Sequence, residues 1–315
     1  MSILYALEQI RNPVLDGFLS TITYLGGEAV FMAVALALFW CVDKNRGYYM
    51  LTVGFLGTVL NQFLKLVFRI PRPWVRDPAF TIVEAARAEA TGYSFPSGHT
   101  QNVLTIFGCL ARGTKRRVLR GVYIAVVALV AFSRMYLGVH YPMDVGVSLV
   151  LGVVLVLALY PLFESVRQHP NRMYAILGMM LLVSAAYTAY ARLWPFPADI
   201  DPVNLQEGLD NGWKLTGAVA GMLLAYYLDQ TKLHFPTRAP WWAQIVKTVV
   251  GLGLLIGVKS VLKTPLLTLC GGLAMAHGIR YFIMVLFAAV VWPLTFPWFA
   301  RQGKNQSGQA EDRTQ

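Results

Sequence analysis

Long apolar runs separated by short polar connections dominate the sequence from residue 27 onward. A helix needs about 20 apolar residues to cross the hydrocarbon core of a bilayer. The runs therefore predict membrane-spanning helices at 27–42, 48–68, 96–110, 118–133, 142–163, 173–193, 213–229, 244–262 and 279–299. A shorter apolar piece, residues 265–277, is marginal for a crossing and fits a re-entrant segment as well.

The first residues follow a different pattern. Residues 3–23 are apolar with helical periodicity, but Glu8, Arg11, Asn12 and Asp16 form a polar stripe among them. This pattern predicts an amphipathic helix at the membrane interface or packed on the protein, not a span. The predicted organisation is an N-terminal helix at 1–26, a five-span core at 27–165, about four further spans at 166–300 and a polar tail at 301–315.

Composition agrees with this pattern. Of the 315 residues, 56% are hydrophobic and 14% are charged, whereas about 25% are charged in a typical soluble domain. We therefore predict an all-α polytopic membrane protein, a helical bundle with a five-span core plus about four further spans. Its first partner is the lipid bilayer.

The net charge of +11 does not indicate nucleic-acid binding, because the cations lie in short loops between apolar runs. Cys41, Cys109 and Cys270 lie in apolar surroundings without CxxC spacing, which is typical of small buried side chains rather than disulfides or metal ligands. No zinc, haem or iron–sulfur pattern occurs in the sequence. We predict no cofactor and no metal site.

The positive charges predict an orientation. Residues 112–120 contain five cations in a short connection, which marks this loop as cytoplasmic. The loop at 194–211 is acidic and falls on the opposite side when the spans are counted in order.

Three polar clusters interrupt the apolar pattern on the extracytoplasmic side. The first is Lys65 with Arg72-Pro73, the second is Pro96-Ser97-Gly98-His99, and the third is Ser133-Arg134 with His140 and Asp144. Cations on this side oppose the usual charge bias, and ionisable groups near the bilayer are kept when they are paired, wet or functional. We interpret the clusters as one site for an anionic phosphate group, since guanidinium groups match phosphate oxygens and free N–H groups at a helix start attract anions. By contrast, His277 has no acid–base partner nearby in the sequence and is predicted to be structural.

The spacing of these clusters resembles that of the type-2 phosphatidic acid phosphatase superfamily, which includes lipid phosphate phosphatases and vanadium haloperoxidases. The resemblance rests on Lys65 followed by Arg72-Pro73, on Pro96 to His99, and on Ser133-Arg134 followed by His140 and Asp144. It covers roughly residues 14–165.

The resemblance implies metal-independent hydrolysis of a phosphorylated lipid at the extracytoplasmic face of the membrane. His140 would attack phosphorus, Asp144 would orient His140, and His99 would protonate the leaving group and then activate water. The phosphate would be bound by Lys65, Arg72, Ser97, Gly98 and Arg134.

The substrate stays open among phosphatidate, phosphatidylglycerol phosphate, polyprenyl phosphates or diphosphates, and sphingoid phosphates. Thr100-Gln101 after His99 is similar to the pattern of sphingoid phosphatases. The alternatives are a phosphotransferase that passes the same phosphohistidine to a lipid hydroxyl, and a transport or binding protein without chemistry. The complete set of His99, His140 and Asp144 favours an enzyme, because binding alone needs only the cations.

Overall fold

The computed structural model describes residues 1–302, and these residues form helices and short helical turns without any strand among them. The predicted all-α fold is confirmed. The α-helices are α1 (Ser2–Gln9), α2 (Pro13–Ile22), α3 (Glu28–Cys41), α4 (Lys44–Phe68), α5 (Pro73–Arg76), α6 (Gly98–Gly113), α7 (Arg117–Tyr136), α8 (Pro142–Gln168), α9 (Arg172–Leu193), α10 (Pro202–Leu228), α11 (Trp241–Val261), α12 (Lys263–Leu269) and α13 (Met275–Leu286). The predicted polar tail lies outside the described residues from 303 onward.

Within residues 1–302, six helical segments are long and apolar enough to cross a membrane, so the chain is a multi-pass membrane protein. They are Lys44–Arg76, Arg117–Tyr136, Pro142–Gln168, Arg172–Leu193, Trp241–Leu269 and Met275–Gln302. A seventh results if Pro13–Gly26 and Glu28–Cys41, which are bent by 46°, form one broken span. Three predicted spans are not among the six. The span at 27–42 corresponds to α3, which qualifies only together with the bent segment Pro13–Gly26. Helix α6 has only 16 residues, and the first half of α10 is polar.

The N-terminal segment forms two helices, where one continuous amphipathic helix was predicted over residues 3–23. The break lies at Asn12, whose side chain accepts a hydrogen bond from the backbone N–H of Leu15 at 3.0 Å. Pro13 is the first residue of α2. Asparagine is a favoured N-cap and proline is favoured at the first helical position, so this pair ends one helix and starts the next.

The two N-terminal helices pack on the loop that follows α5. Tyr5 donates a hydrogen bond to Asp77 at 2.7 Å. Arg11 donates to the backbone oxygens of Thr81 at 2.8 Å and of Tyr136 at 3.0 Å. The loop between α5 and α6 is thereby tied to α1 and, through Arg11, to the end of α7.

The marginal apolar piece at 265–277 is not a separate span. Its first part belongs to α12, whose seven residues extend only about 10 Å. Gly271 and Gly272 follow with φ of 60° and 77°, a left-handed conformation that suits glycine, and α13 then begins.

Two glycine pairs, Gly217/Gly221 and Gly253/Gly257, have the four-residue spacing that suits close helix packing. The first pair contacts another helix of the chain. A Cβ at Gly217 would lie 2.0 Å from the backbone oxygen of Gly278, and one at Gly221 would lie 3.0 Å from that of Phe282. Helices α10 and α13 are therefore in backbone contact, as small residues in membrane helices allow. A Cβ at Gly253 or Gly257 would meet no atom within 4 Å among the described residues.

The chain divides into two compact units. The first comprises Met1–Val34, Tyr49–Ser165 and Ala191–Gly208, and the second comprises Ala35–Tyr48, Val166–Tyr190 and the described part of the chain from Leu209. All of the predicted site residues belong to the first unit.

Candidate active site

The turn between α7 and α8 places a histidine and a carboxylate in contact. His140 Nδ1 lies 3.2 Å from Asp144 Oδ2, and the two side chains are 2% and 0% exposed. Pro142 starts α8, so Asp144 lies in the first turn of the helix and its side chain reaches back to the imidazole. With Nδ1–H donated to the carboxylate, Nε2 is the ring nitrogen that carries the lone pair.

The surroundings keep this imidazole neutral. Burial lowers the pKa of His140 well below its ordinary value, and the neighbouring positive charges of Arg72, Arg134, Lys65 and a protonated His99 lower it further. A neutral imidazole is the form in which Nε2 can act as a nucleophile. Together with the contact to Asp144, these influences show that all six predicted ionisable groups of the site lie in one neighbourhood.

Further polar groups fix the position of Asp144. Its Oδ2 accepts hydrogen bonds from the backbone N–H of Tyr141 at 2.9 Å and from the hydroxyl of Ser94. Ser148 Oγ lies 2.9 Å from the backbone oxygens of both Asp144 and Ser97. Ser148 therefore joins the starts of α8 and α6, which carry the two groups of predicted catalytic residues.

Arg72 contacts the second ring nitrogen of His140, Nε2. Its Nη1 lies 2.9 Å from His140 Nε2 and also donates to the backbone oxygen of Val139 at 2.9 Å. Its Nε and Nη2 donate to the backbone oxygens of Gly92 and Thr91 at 3.0 and 2.6 Å. Since a guanidinium has five N–H groups, these four contacts leave one hydrogen on Nη2 for a ligand. A phosphate that reaches Nε2 has to take over the hydrogen bond from Nη1.

Arg134 is completely buried and is less well satisfied than Arg72. Nη1 donates to the hydroxyl of Thr23 at 2.9 Å, while Nε and Nη2 have no hydrogen-bond partner within the described residues. Its backbone oxygen accepts from the N–H groups of Val139 and His140, both at 3.2 Å. A buried guanidinium with unpaired donors is costly, and an anion removes that cost. Arg134 is thus attached to the histidine turn with donors available for an anion.

The second cluster forms the start of α6. The helix begins at Gly98, not at Pro96 as predicted, and Ser97 is its N-cap. Ser97 Oγ accepts from the backbone N–H and the hydroxyl of Thr100 at 3.4 and 3.0 Å. A Cβ at Gly98 would meet no described atom within 4 Å, so the first turn is open to a ligand. The N–H groups of such a turn lack acceptors in the helix and attract anions.

His99 lies in this first turn and is mostly buried. Its Nε2 lies 3.9 Å from a carboxylate oxygen of Glu89 and has no hydrogen-bond partner among the described residues. Its backbone packs against Gly26, where a Cβ would lie 2.5 Å from the oxygen of His99. The imidazole is held in position with a nitrogen available for proton transfer.

Lys65, at the end of α4, meets two side chains from α10 around Gly92. A Cβ at Gly92 would lie 3.3 Å from Glu207 Oε2, 3.4 Å from Asn204 Oδ1 and 3.8 Å from Lys65 Nζ. Gly92 has φ of 66°, a left-handed backbone conformation that favours glycine. A carboxylate therefore lies beside one of the predicted phosphate-binding cations.

Sequence reasoning missed several residues of this arrangement. Ser94 lies two residues before the second cluster and was assigned no role, although a hydroxyl so close to the motif is a usable signal. Thr23, Glu89, Ser148 and Glu207 come from other segments, and their contacts arise only from the fold.

Two family models match separate parts of the chain. The family model of the PAP2 superfamily matches residues 44–168. A second model, described as the transmembrane extension of PAP2 superfamily phosphatases, matches residues 213–304. The first match contains all of the predicted site residues.

The chain is similar to several curated phosphatases. It is 33% identical to the undecaprenyl-diphosphatase BcrC of Bacillus subtilis over 46% of this chain and 73% of the relative. It is 26% identical to the lipid A 4'-phosphatase of Porphyromonas gingivalis over 54% of this chain and 78% of the relative. It is 28% identical to a dihydrosphingosine 1-phosphate phosphatase of Schizosaccharomyces pombe over 84% of this chain and 66% of the relative. On this evidence the chain belongs to the PAP2 superfamily and is a multi-pass membrane phosphatase of the type-2 phosphatidic acid phosphatase class.

Proposed function

We propose that the chain hydrolyses a lipid phosphate through a phosphohistidine at His140, without a metal ion, at the extracytoplasmic face of the membrane. The observation that carries the proposal is the buried pair of His140 and Asp144. Asp144 leaves Nε2 of a neutral imidazole facing Arg72, and Arg134 supplies unpaired donors beside it. A nucleophile and fixed positive charge are the two requirements for phosphoryl transfer by this route.

The first step forms the bond between His140 Nε2 and phosphorus and breaks the bond between phosphorus and the lipid oxygen. His99 gives its proton to the departing oxygen. Arg134, Lys65 and the remaining hydrogen of Arg72 neutralise the phosphate oxygens, which carry close to two negative charges before reaction. The N–H groups at the start of α6 add to this stabilisation.

The second step releases phosphate. His99, now neutral, takes a proton from water, and the oxygen of that water attacks phosphorus. The bond between phosphorus and Nε2 breaks, and the electron pair returns to the imidazole. Asp144 stabilises the positive charge that His140 carries while it is phosphorylated, as the carboxylate does in a catalytic triad.

The substrate class we propose is a phosphate or diphosphate on a long apolar chain. The named relatives are phosphatases of undecaprenyl diphosphate, lipid A and dihydrosphingosine 1-phosphate, and these compounds share that feature. Phosphatidate and phosphatidylglycerol phosphate belong to the same class. The apolar spans on both sides of the site suit a substrate that stays in the bilayer.

Phosphate release by the purified protein from a panel of these lipids tests the proposal. We expect turnover that persists in excess chelator and is inhibited by vanadate, which occupies the phosphate site. The His140→Ala variant should lose both turnover and acid-labile phosphate labelling. Loss of activity in chelator with recovery in magnesium, or labelling retained in the variant, would contradict the mechanism. Transfer of the phosphate to a lipid hydroxyl, instead of to water, would identify a phosphotransferase.

The orientation needs its own experiment. In a background without Cys41, Cys109 and Cys270, single cysteines at Ala86 and Asn204 should react with a membrane-impermeant thiol reagent on intact cells. A cysteine at Thr114 should react only after the membrane is opened. Labelling of the Thr114 position in sealed cells would place the site on the cytoplasmic side.

A further inference from the structure

A second group of buried polar side chains lies in the second unit, where α10 and α13 pack together. Arg280 on α13 is 6% exposed, and its Nη2 lies 3.2 Å from His277 Nδ1. His277 Nε2 lies 3.5 Å from Asp210 Oδ2 on α10. One turn further along α10, Lys214 donates to Asn211 at 2.9 Å. His277 thus has the acid–base partners that the sequence did not predict.

The contact between Gly217 and Gly278 brings these side chains together. It allows the backbones of α10 and α13 to touch and places Trp213 against Gly278, where a Cβ would lie 3.3 Å from Trp213 Cε3. The cluster is therefore built on two rigid helices.

Two donors in this cluster are unsatisfied. Arg280 Nε and Trp213 Nε1 are buried and have no hydrogen-bond partner among the described residues. Both groups can only donate, so only an acceptor can satisfy them. Arg280 is also the sixth residue of the apolar segment Met275–Gln302, where an unpaired charge is especially costly.

The charges of the cluster indicate an anionic acceptor. Because Nδ1 of His277 faces an N–H group of Arg280, this nitrogen accepts and the imidazole is neutral. Arg280 and Lys214 then contribute positive charges to this cluster, and Asp210 contributes a negative charge. An anionic ligand such as phosphate would add negative charge beside these cations, and its several oxygens would be acceptors for the unsatisfied donors.

We propose that Arg280, Trp213 and Lys214 form a second anion site, separate in residues from the catalytic set, that binds a phosphate group. The group belongs either to the headgroup of an anionic membrane lipid or to free phosphate. The position of Arg280 near one end of an apolar segment fits the depth of a lipid headgroup. This proposal does not depend on the chemistry assigned to His140.

Ligand-induced shifts in thermal unfolding test the site. The measurements use detergent-solubilised full-length protein carrying Arg134→Met, so that binding at the catalytic cluster is weakened. One arm titrates phosphatidylglycerol and the other titrates inorganic phosphate. Arg280→Met removes the buried cation, and Trp213→Phe removes one donor while keeping an aromatic ring. Lys259→Met is the matched control, since Lys259 is an exposed cation at the end of α11.

We expect phosphatidylglycerol to stabilise the parent and the Lys259 variant equally, and to bind the Arg280 variant about tenfold more weakly. Trp213→Phe should weaken binding in the same direction, which keeps the test decisive if Arg280→Met does not fold. Stabilisation by inorganic phosphate alone, lost in the same variants, would support the site and identify the free anion as its ligand. Equal stabilisation of all variants by either ligand, or of none, would overturn the proposal.

Discussion

Arg134 in the first unit and Lys247 in the second are both completely buried cations, but their hydrogen-bonding environments are opposite. The ammonium of Lys247 donates to the backbone oxygens of Trp40 and Thr237 and to the side chain of Gln244, at 2.8, 3.0 and 3.1 Å. Its three donors are therefore all used. Arg134 uses Nη1 on Thr23, while Nε and Nη2 find no partner among the described residues.

The difference separates a structural cation from one prepared for a ligand. Lys247 is paired within the fold, so its contribution is to stability. Arg134 is left short of acceptors in a place where burial makes this expensive, and a fold that keeps such a group has a use for the unsatisfied donors. Burial and charge are alike in the two cases, and the count of satisfied donors distinguishes them.

The largest effect we expect is on activity at Arg134. The Arg134→Met variant should lose about a thousandfold in kcat/KM, because fixed donors on a transferring phosphate are worth several kcal/mol. Its thermal unfolding midpoint should stay close to that of the parent, because few hydrogen bonds are lost. Phosphate release and thermal unfolding of the same preparations measure both quantities. If the variant keeps its activity but unfolds at a lower temperature, Arg134 is a structural cation like Lys247.

The reverse pattern is expected for Lys247. Lys247→Met leaves three buried acceptors without a donor and should reduce the free energy of unfolding by about 3 kcal/mol. Phosphatase activity of the folded protein, measured well below the unfolding transition, should be unchanged. Lys259→Met, at an exposed position on the same helix, is the control for loss of a charge. A fall in kcat with an unchanged thermal unfolding midpoint would contradict the comparison. The number of satisfied donors would then not distinguish a structural cation from a ligand-binding one.

Features that are visible in local sequence patterns could be predicted, and features that depend on packing could not. The residues of the site were predicted because Lys65, Arg72 and the two histidines interrupt apolar runs in a recognisable spacing. The break of the N-terminal helix at Asn12 was also readable, since an asparagine before a proline is a cap signal.

Other features depend on contacts between distant segments. Lys247 lies in an apolar run and meets Trp40, about two hundred positions earlier in the chain. Glu207 on α10 and Lys65 both lie near Gly92. Nothing in the acidic pattern of 194–211 indicates which carboxylate of that loop comes near Lys65. Whether a buried donor is satisfied is a property of packing, and a single sequence does not encode it in any local pattern.

The next effect concerns pH. Because burial and the nearby cations lower the pKa of His140, its neutral form persists below pH 6.5, and the acid limb of the phosphorylation step should lie below that value. The stability of the fold depends on pH in the same direction. As the pH falls, His140 takes up a proton in the unfolded chain before it does so in the folded protein, so the free energy of unfolding decreases below pH 6.5.

Rapid-quench labelling with an aryl phosphate isolates this step, because an aryl oxide leaves without the proton of His99. Two aryl phosphates whose phosphate pKa values differ serve as the control. If the acid limb reports the protonation of His140, it falls at the same pH with both substrates. A limb at or above pH 6.5 with both substrates would show that the cations do not act on the nucleophile.

The smallest effect is expected at Glu207, whose carboxylate lies near Lys65, one of the cations proposed to bind phosphate. Glu207 Oε2 and Lys65 Nζ both approach Gly92, so the carboxylate competes with the phosphate for Lys65 and repels it. Glu207→Gln keeps the shape and removes the charge. It should lower KM and the inhibition constant of inorganic phosphate by about threefold, or ~0.7 kcal/mol, with little change in kcat. Asp199→Asn makes the same charge change at an exposed position nearby in the chain. If both variants shift KM equally, the effect is a general one of surface charge, and Glu207 has no special part in setting how tightly Lys65 holds phosphate.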